Sequence, residues 1–190
     1  MVWFPNRPID APPVPAHHTG DVTSPDCDWT QWTPQERAVL CFVLQEDRLL
    51  LILKKRGLGG GKINAPGGKI EPGETALAAA IRETQEEVGV TPLHPEPRGE
   101  ISFQFTNGYS LHCIVFLAHG CEGEPVETDE AVPIWTSPDA IPYDKMWADD
   151  AEWLPLLLAG RPFRGFFVFD DETMLSKQLD LLPDTASLSR

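Results

Sequence analysis

Two short apolar runs open the ordered pattern of the chain, AVLCFVL at 38–44 and LLLILK at 49–54. Glu46-Asp47 separates them, so they read as a strand pair joined by a hairpin. A glycine-rich loop, GLGGGKINAPGGK, follows from Gly57 to Lys69. The period then changes. Over 74–88, Leu77, Ala80, Ile81, Thr84 and Val88 recur at helical spacing and predict a buried stripe, with Gly89 as the stop. Strands are predicted at 100–106 and 109–118 around Asn107-Gly108, a type I′ hairpin signal, and at 131–136. A second helix runs to Gly160 from a cap at Asp149 or Asp150, with Pro155 inside it. Segments 163–169 and 173–182 form a last strand pair. Strands flanking a central helix, with a second helix late, predict an α/β fold: a mixed β-sheet sandwiched between α-helices.

The length, 190 residues, fits one domain with an appendage. The compact domain is assigned to 35–183, preceded by a Pro-rich N-terminal extension at 1–34 and followed by a C-terminal tail at 184–190. Pro5, Pro8, Pro12, Pro13, Pro15, Pro25 and Pro34 give the extension the character of a linker, but Trp3, Phe4, Trp29 and Trp32 suggest that parts of it pack as an arm over the domain surface. Prolines near the N-terminus interrupt any signal-peptide core, and no apolar run approaches the ~20 residues of a membrane helix. Cys27, Cys41, Cys113 and Cys121 lack Cys-x-x-Cys spacing and read as reduced thiols, which places the chain in the cytoplasm.

Charge changes the picture next. Against 15 Lys and Arg stand 29 Asp and Glu, a net charge of −14. That field disfavours duplex DNA, long RNA and anionic membranes. An anionic ligand would need a local reversal, which a bound divalent metal supplies. The helix at 74–88 offers the donors. Glu83, Glu86 and Glu87 lie at i, i+3 and i+4 on one face, with Arg82 positioned to hold Glu86. Clustered carboxylate oxygens suit Mg²⁺ or Mn²⁺.

The segment GKIEPGETALAAAIRETQEEVGV, Gly68 to Val90, resembles the Nudix box, Gly-x5-Glu-x7-Arg-Glu-U-x-Glu-Glu-x-Gly-U, where U is bulky and apolar. Gly68, Glu74, Arg82, Glu83, Glu86, Glu87, Gly89 and Val90 all fall in place, and Thr84 alone departs, at a U position on the buried stripe. The resemblance implies metal-dependent hydrolysis of a nucleoside diphosphate linked to another group. It makes Glu83, Glu86 and Glu87, with the carbonyl of Gly67, metal ligands, and Glu83 the general base. Arg82 joins the three glutamates in the catalytic set and, with Glu74, ties the loop to the helix; Gly68 and Gly89 are structural. Glu130, in the acidic loop VETDE, resembles a distal metal ligand.

Beyond the box, LKKRGLGGGKINAPGGK, PVETDEAVPIW, IPYDKMWADDAEWLPLLL and FRGFFVF resemble the MutT-like branch, and within it the eukaryotic oxidised-purine nucleoside triphosphatases. This implies conversion of (d)NTP to (d)NMP and pyrophosphate, with oxidised purines such as 8-oxo-dGTP preferred, an activity that sanitises the nucleotide pool and supports DNA repair. Asn64, Phe103, Trp147, Asp149 and Asp150 would line the base pocket. A purine would stack on Trp147, Asn64 would pair with a base edge, and one protonated carboxyl of Asp149-Asp150 would donate to the other edge. Lys54 and Lys69 are candidate phosphate contacts, among solvated lysines that include Lys55 and Lys62. Leu58, Val39 and Leu111 depart from that branch, at positions of an aromatic, a hydroxyl residue and a methionine. Rival readings are another Nudix substrate (a dinucleoside polyphosphate, ADP-ribose or an RNA 5′ end) and a nucleotide-binding regulator without hydrolysis. Oligomeric state is not legible.

Overall fold

The computed structural model describes residues 27–183. Trp3, Phe4 and the tail at 184–190 lie outside them. The strands are β1 (Glu36–Gln45), β2 (Arg48–Lys54), β3 (Ile63–Asn64), β4 (Gly67–Lys69), β5 (Thr91–Pro92), β6 (Glu96–Phe105), β7 (Ser110–Ala118), β8 (Cys121–Glu122), β9 (Ala131–Thr136), β10 (Phe163–Asp170) and β11 (Thr173–Leu181). The helices are α1 (Ala76–Val88) and α2 (Asp150–Leu158). The main sheet runs β11-β10-β6-β7-β1-β2-β3, with β4 paired to β1 and β9 to β2. It is mixed as expected: β1 runs parallel to β7 and β10 parallel to β6, while the other pairs are antiparallel.

Period-two alternation builds the two layers. From β1, Val39 and Cys41 pack with Ala76, Ala79 and Ala80 of α1, while Phe42 faces Trp153, Leu154 and Leu157 of α2. From β2, Leu49 and Leu51 join the α2 side and Leu50 and Ile52 meet Val88 and Val90. The α2 layer is the larger and more aromatic. Phe42 meets Trp153 edge-on at 5.8 Å, and Trp153 stacks on Phe163 at 5.5 Å.

Local differences have physical causes. Helix α1 begins at Ala76, not at 74, because Thr75 caps it: its hydroxyl accepts from the Ala78 N–H at 3.2 Å. Glu74 therefore sits before the helix. Leu77, expected on the buried stripe, is exposed, and Ala79 takes its place, because the alanine face packs against side chains of β1 and β7. The type I′ turn lies at Glu46-Asp47, where both residues adopt positive φ (50° and 57°), and not at Asn107-Gly108. In the second hairpin only Gly108 is left-handed (φ 90°), and Gly108 N–H donates to Phe105 O, a three-residue loop. Asp149 occupies the N-cap of α2 as expected, but its side chain makes no capping hydrogen bond. Strand β6 starts at Glu96, four residues before the expected 100.

Part of the arm falls within the described residues. Trp29 is buried against Phe166 and Val168, on the face of β10 away from α2, with Trp32 5.3 Å from it. Trp32 Nε1 donates to Gln104 Oε1 at 2.9 Å. Among the described residues no helix is long and apolar enough to cross a membrane.

Candidate active site

The glycine-rich loop and α1 meet at β4, and the junction is built around Arg82. Its Nε and Nη2 donate to the two oxygens of Glu74 at 2.9 Å each, and Nη2 also reaches Lys69 O at 3.0 Å. Its Nη1 holds Glu83 Oε1 at 2.8 Å and Glu86 Oε2 at 3.0 Å. One guanidinium thus fixes the loop and aims two helix carboxylates. The pairing lowers Glu74 below its ordinary range. At Gly68 a Cβ would meet the Glu83 carboxylate at 2.4 Å and displace it from its place on Arg82. At Gly67 a Cβ would strike Val39 O at 2.2 Å.

Glu87 is nearly inaccessible. Its Oε2 accepts from Gly67 N–H at 2.8 Å and its Oε1 lies 3.4 Å from Lys54 Nζ. Burial raises the carboxyls of Glu83 and Glu87, with Arg82 and Lys54 respectively opposing the rise. Lys54 Nζ also stands 3.4 Å from Gly67 O. A cation of the protein's own therefore bridges two of the oxygens that the Nudix resemblance assigns to a metal. Glu130, the expected distal ligand, is ion-paired with Arg56. Among the described residues no three His, Cys, Asp or Glu side chains converge into a ready metal cage. The donor set is nonetheless all oxygen, three helix carboxylates and a backbone carbonyl, and it suits a hard divalent ion.

A cavity of about 410 Å³ opens beside this junction. Lys54, Asn64, Phe103, Trp147, Asp149 and Asp150 all line it, together with Gly67 and Glu130. Glu83, Glu86 and Glu87 are not among its lining residues, but Glu83 lies against Gly68 and Glu87 holds Gly67 N–H, and both glycines line it. Leu58 and Leu111, two of the three departures, also line the cavity, and Val39, the third, borders it while packing its side chain toward α1. Lys69, expected near phosphate, is tied to Glu36, which also accepts from Tyr109 Oη at 2.6 Å.

The far end is aromatic and acidic. Trp147 is wedged edge-to-face against Phe169 at 5.5 Å and Phe105 at 6.2 Å. Phe103 stacks on Phe167 at 5.8 Å. Asn64 accepts the Ala65 N–H on its own side-chain oxygen at 2.8 Å. Asp149 Oδ2 accepts from Trp153 Nε1 at 2.8 Å, while its Oδ1 is buried with no partner. Asp150 Oδ2 accepts from Trp147 N–H at 2.9 Å. Desolvation raises Asp149 to about 6. Desolvation, then the neighbouring Asp149 charge, raises Asp150 well above its ordinary value. Two buried adjacent carboxyls that resist joint ionisation leave a proton in the site, so the pair offers both a donor and an acceptor.

Sequence reasoning did not find Tyr109 and Phe105 as wall residues, nor Phe169 as the support behind Trp147, nor the Arg56–Glu130 pair. Only the alternation of Phe103 and Phe105 on β6 could have placed Phe105 beside Phe103.

Residues 34–157 match the NUDIX domain. The chain is similar to the oxidized purine nucleoside triphosphate hydrolase of Danio rerio, 43% identical over 147 residues, which is 76% of this chain and 94% of that protein. It is 42% identical over 142 residues to the protein of the same name from Mus musculus, covering 74% and 91%. Among solved structures it resembles a MutT protein from Bacillus halodurans, with TM-score 0.70 and 33% identity over 76% of this chain and 97% of that one.

Proposed function

Because this chain belongs to the Nudix family of hydrolases, we propose that it converts purine nucleoside triphosphates, above all oxidised ones such as 8-oxo-dGTP, to the monophosphate and pyrophosphate. The observation that carries this reading is the continuity of one cavity. Trp147, Asn64 and the Asp149-Asp150 pair line the same space as Lys54, Gly67 and Glu130. A nucleotide with its base on Trp147 would extend its phosphates toward the box. The oxidized purine nucleoside triphosphate hydrolases of zebrafish and mouse cover three quarters of the chain and lend the substrate class.

The base end recognises by complementary hydrogen bonds. An oxidised purine presents more N–H and C=O groups on its edges than an ordinary one. The unpartnered Oδ1 of Asp149 accepts from a base N–H. A protonated carboxyl of the pair donates to a base carbonyl. Leaving either group unpaired in this buried site would cost ~1–3 kcal/mol, the range of a lost buried hydrogen bond, and that cost discriminates between bases.

At the phosphate end, Lys54 neutralises charge beside Gly67 O. Nudix hydrolysis uses a divalent metal. In this chain Glu83, Glu86, Glu87 and the Gly67 carbonyl would hold it, with Glu130 as a distal ligand, and we take it to be Mg²⁺, with Mn²⁺ able to replace it. When bound, it would neutralise the triphosphate and acidify water. Glu83, lifted by burial and oriented by Arg82, takes the proton from the attacking water. We place the reaction in the cytoplasm, where reduced thiols and free nucleotides coexist. Chromatographic identification of products from 8-oxo-dGTP tests the reading: 8-oxo-dGMP with pyrophosphate supports it, and a diphosphate with inorganic phosphate contradicts it.

A further inference from the structure

One cation near the base end takes no part in the reading above. Lys62 lies in the glycine-rich loop, and its Nζ sits 5.1 Å from the centroid of the Trp147 ring. Trp147 lines the cavity and Lys62 does not, so the ammonium lies over the indole from outside. Its position is built. Lys62 N–H donates to Gly59 O at 2.9 Å, Lys62 O accepts from Lys54 N–H at 3.0 Å, and Gly61 N–H donates to Lys54 O at 2.7 Å. These bonds fold the loop back onto β2. Glu172, in the turn between β10 and β11, holds the ammonium at 3.0 Å, and four-fifths of the Lys62 side chain is buried. Gly59 closes the edge of the ring, since a Cβ there would lie 2.9 Å from Trp147 Nε1. Three segments thus converge on one indole: the glycine-rich loop, the β10–β11 turn and the Trp147 loop.

An ammonium over one face of an indole draws π density toward itself. The opposite face becomes less electron-rich and accepts an electron-rich partner more readily, by the same quadrupole argument that governs aromatic stacking. Purines carrying an added oxo group are more electron-rich than their parents. We propose that Lys62, held by Glu172, is a specificity-determining positioning residue that tunes the outer face of Trp147 so that its inner face favours electron-rich, oxidised purines. The inference rests on Trp147 being the stacking platform, as proposed above. Lys62 touches neither the phosphates nor the reacting atoms. It acts through the ring and, by its charge, on Asp150, where it opposes the effect of burial.

The test is steady-state kinetics of the full-length protein on 8-oxo-dGTP and dGTP, comparing Lys62→Met, Lys62→Gln, Lys62→Arg and Trp147→Ala. The neutral variants are expected to raise KM for 8-oxo-dGTP about fivefold, the scale of one partly buried cation–π contact, with a smaller rise for dGTP and kcat within about twofold. Lys62→Arg is expected to restore the parental values, because a guanidinium keeps the charge over the ring. Unchanged KM in both neutral variants overturns the inference, as does Lys62→Arg behaving like Lys62→Met, or KM rising equally for both purines. The Trp147→Ala arm separates the two failures. If it raises KM while the neutral Lys62 variants do not, the stacking platform stands and only the role of Lys62 falls. If it too leaves KM unchanged, the platform itself is wrong and both fall together.

Discussion

Glu83 and Glu87 share one helix face but live in different surroundings. Glu83 is held by a guanidinium, while Glu87 is sealed between Gly67 N–H and Lys54. Replacing either by Gln keeps shape and removes the charge. Glu83→Gln and Glu87→Gln are each expected to lower kcat by at least ~100-fold, the lower scale of general acid–base catalysis, with the thermal transition preserved; near-parental turnover with Mg²⁺ would contradict the assignment. At the other end, Asp149 and Asp150 set a pH dependence. Both carboxyls titrate above their ordinary range, so the pair holds its donor proton at low pH and loses it as pH rises through the folded values. KM for an oxidised purine is expected to rise along that limb, and Asp150→Asn, a permanent donor, to flatten it; a limb of the same steepness in the variant would sink the donor role. The sign for stability is the same, since a raised carboxyl favours the fold below its ordinary value and loses that contribution as pH climbs. The box was readable residue by residue because its spacing is helical and its charges are unusual. The wall residue Tyr109 was not, since an aromatic beside a turn carries no mark of which cavity it will face.

At the scale of elements, the loop–helix junction decides whether the catalytic face exists. Gly68→Ala would push a methyl into the Glu83 carboxylate, and is expected to reduce activity far more than stability; a variant with parental kcat would show that Glu83 can move freely. Strand positions were legible because β1, β2 and β10 carry short unbroken apolar runs, buried on both faces of the sheet. Helix α1 was legible in extent but not in rotation: Leu77 fits the apolar period, yet the stripe that packs is the narrow alanine face, set against Val39, Cys41, Ile114 and Phe116 of β1 and β7. The hairpins inverted the glycine rule. Glu46 and Asp47 accept left-handed backbone, while Asn107-Gly108 relaxes into a longer loop. Short pairings such as β3 and β4, two and three residues long, are fixed by their partners β2 and β1 rather than by their own side chains.

Over the whole molecule, the acidic balance and the aromatic arm are the two features not explained by packing of the sheet and helices. Five acids lie in 71–87 and five in 122–130, whereas six bases and no acid lie in 48–70. The net charge of −14 is therefore polarised around the cavity, and a divalent ion is what lets a triphosphate approach. Trp29 caps Phe166 and Val168 on the sheet face away from α2. Removing residues 1–26 is expected to leave kcat/KM within about twofold. Trp29→Ala should cost ~3–5 kcal/mol in unfolding free energy if the pocket it leaves does not collapse, read by denaturant titration; an unchanged midpoint would mean that the arm does not brace the sheet. The central claim is tested most directly by one competition assay of nucleoside monophosphate release, resolved by chromatography, over 8-oxo-dGTP, dGTP, a diadenosine polyphosphate and ADP-ribose, with and without Mg²⁺. The account predicts metal-dependent release with the highest kcat/KM on 8-oxo-dGTP. Preferential cleavage of the diadenosine compound or ADP-ribose, or turnover that survives chelation, would contradict it.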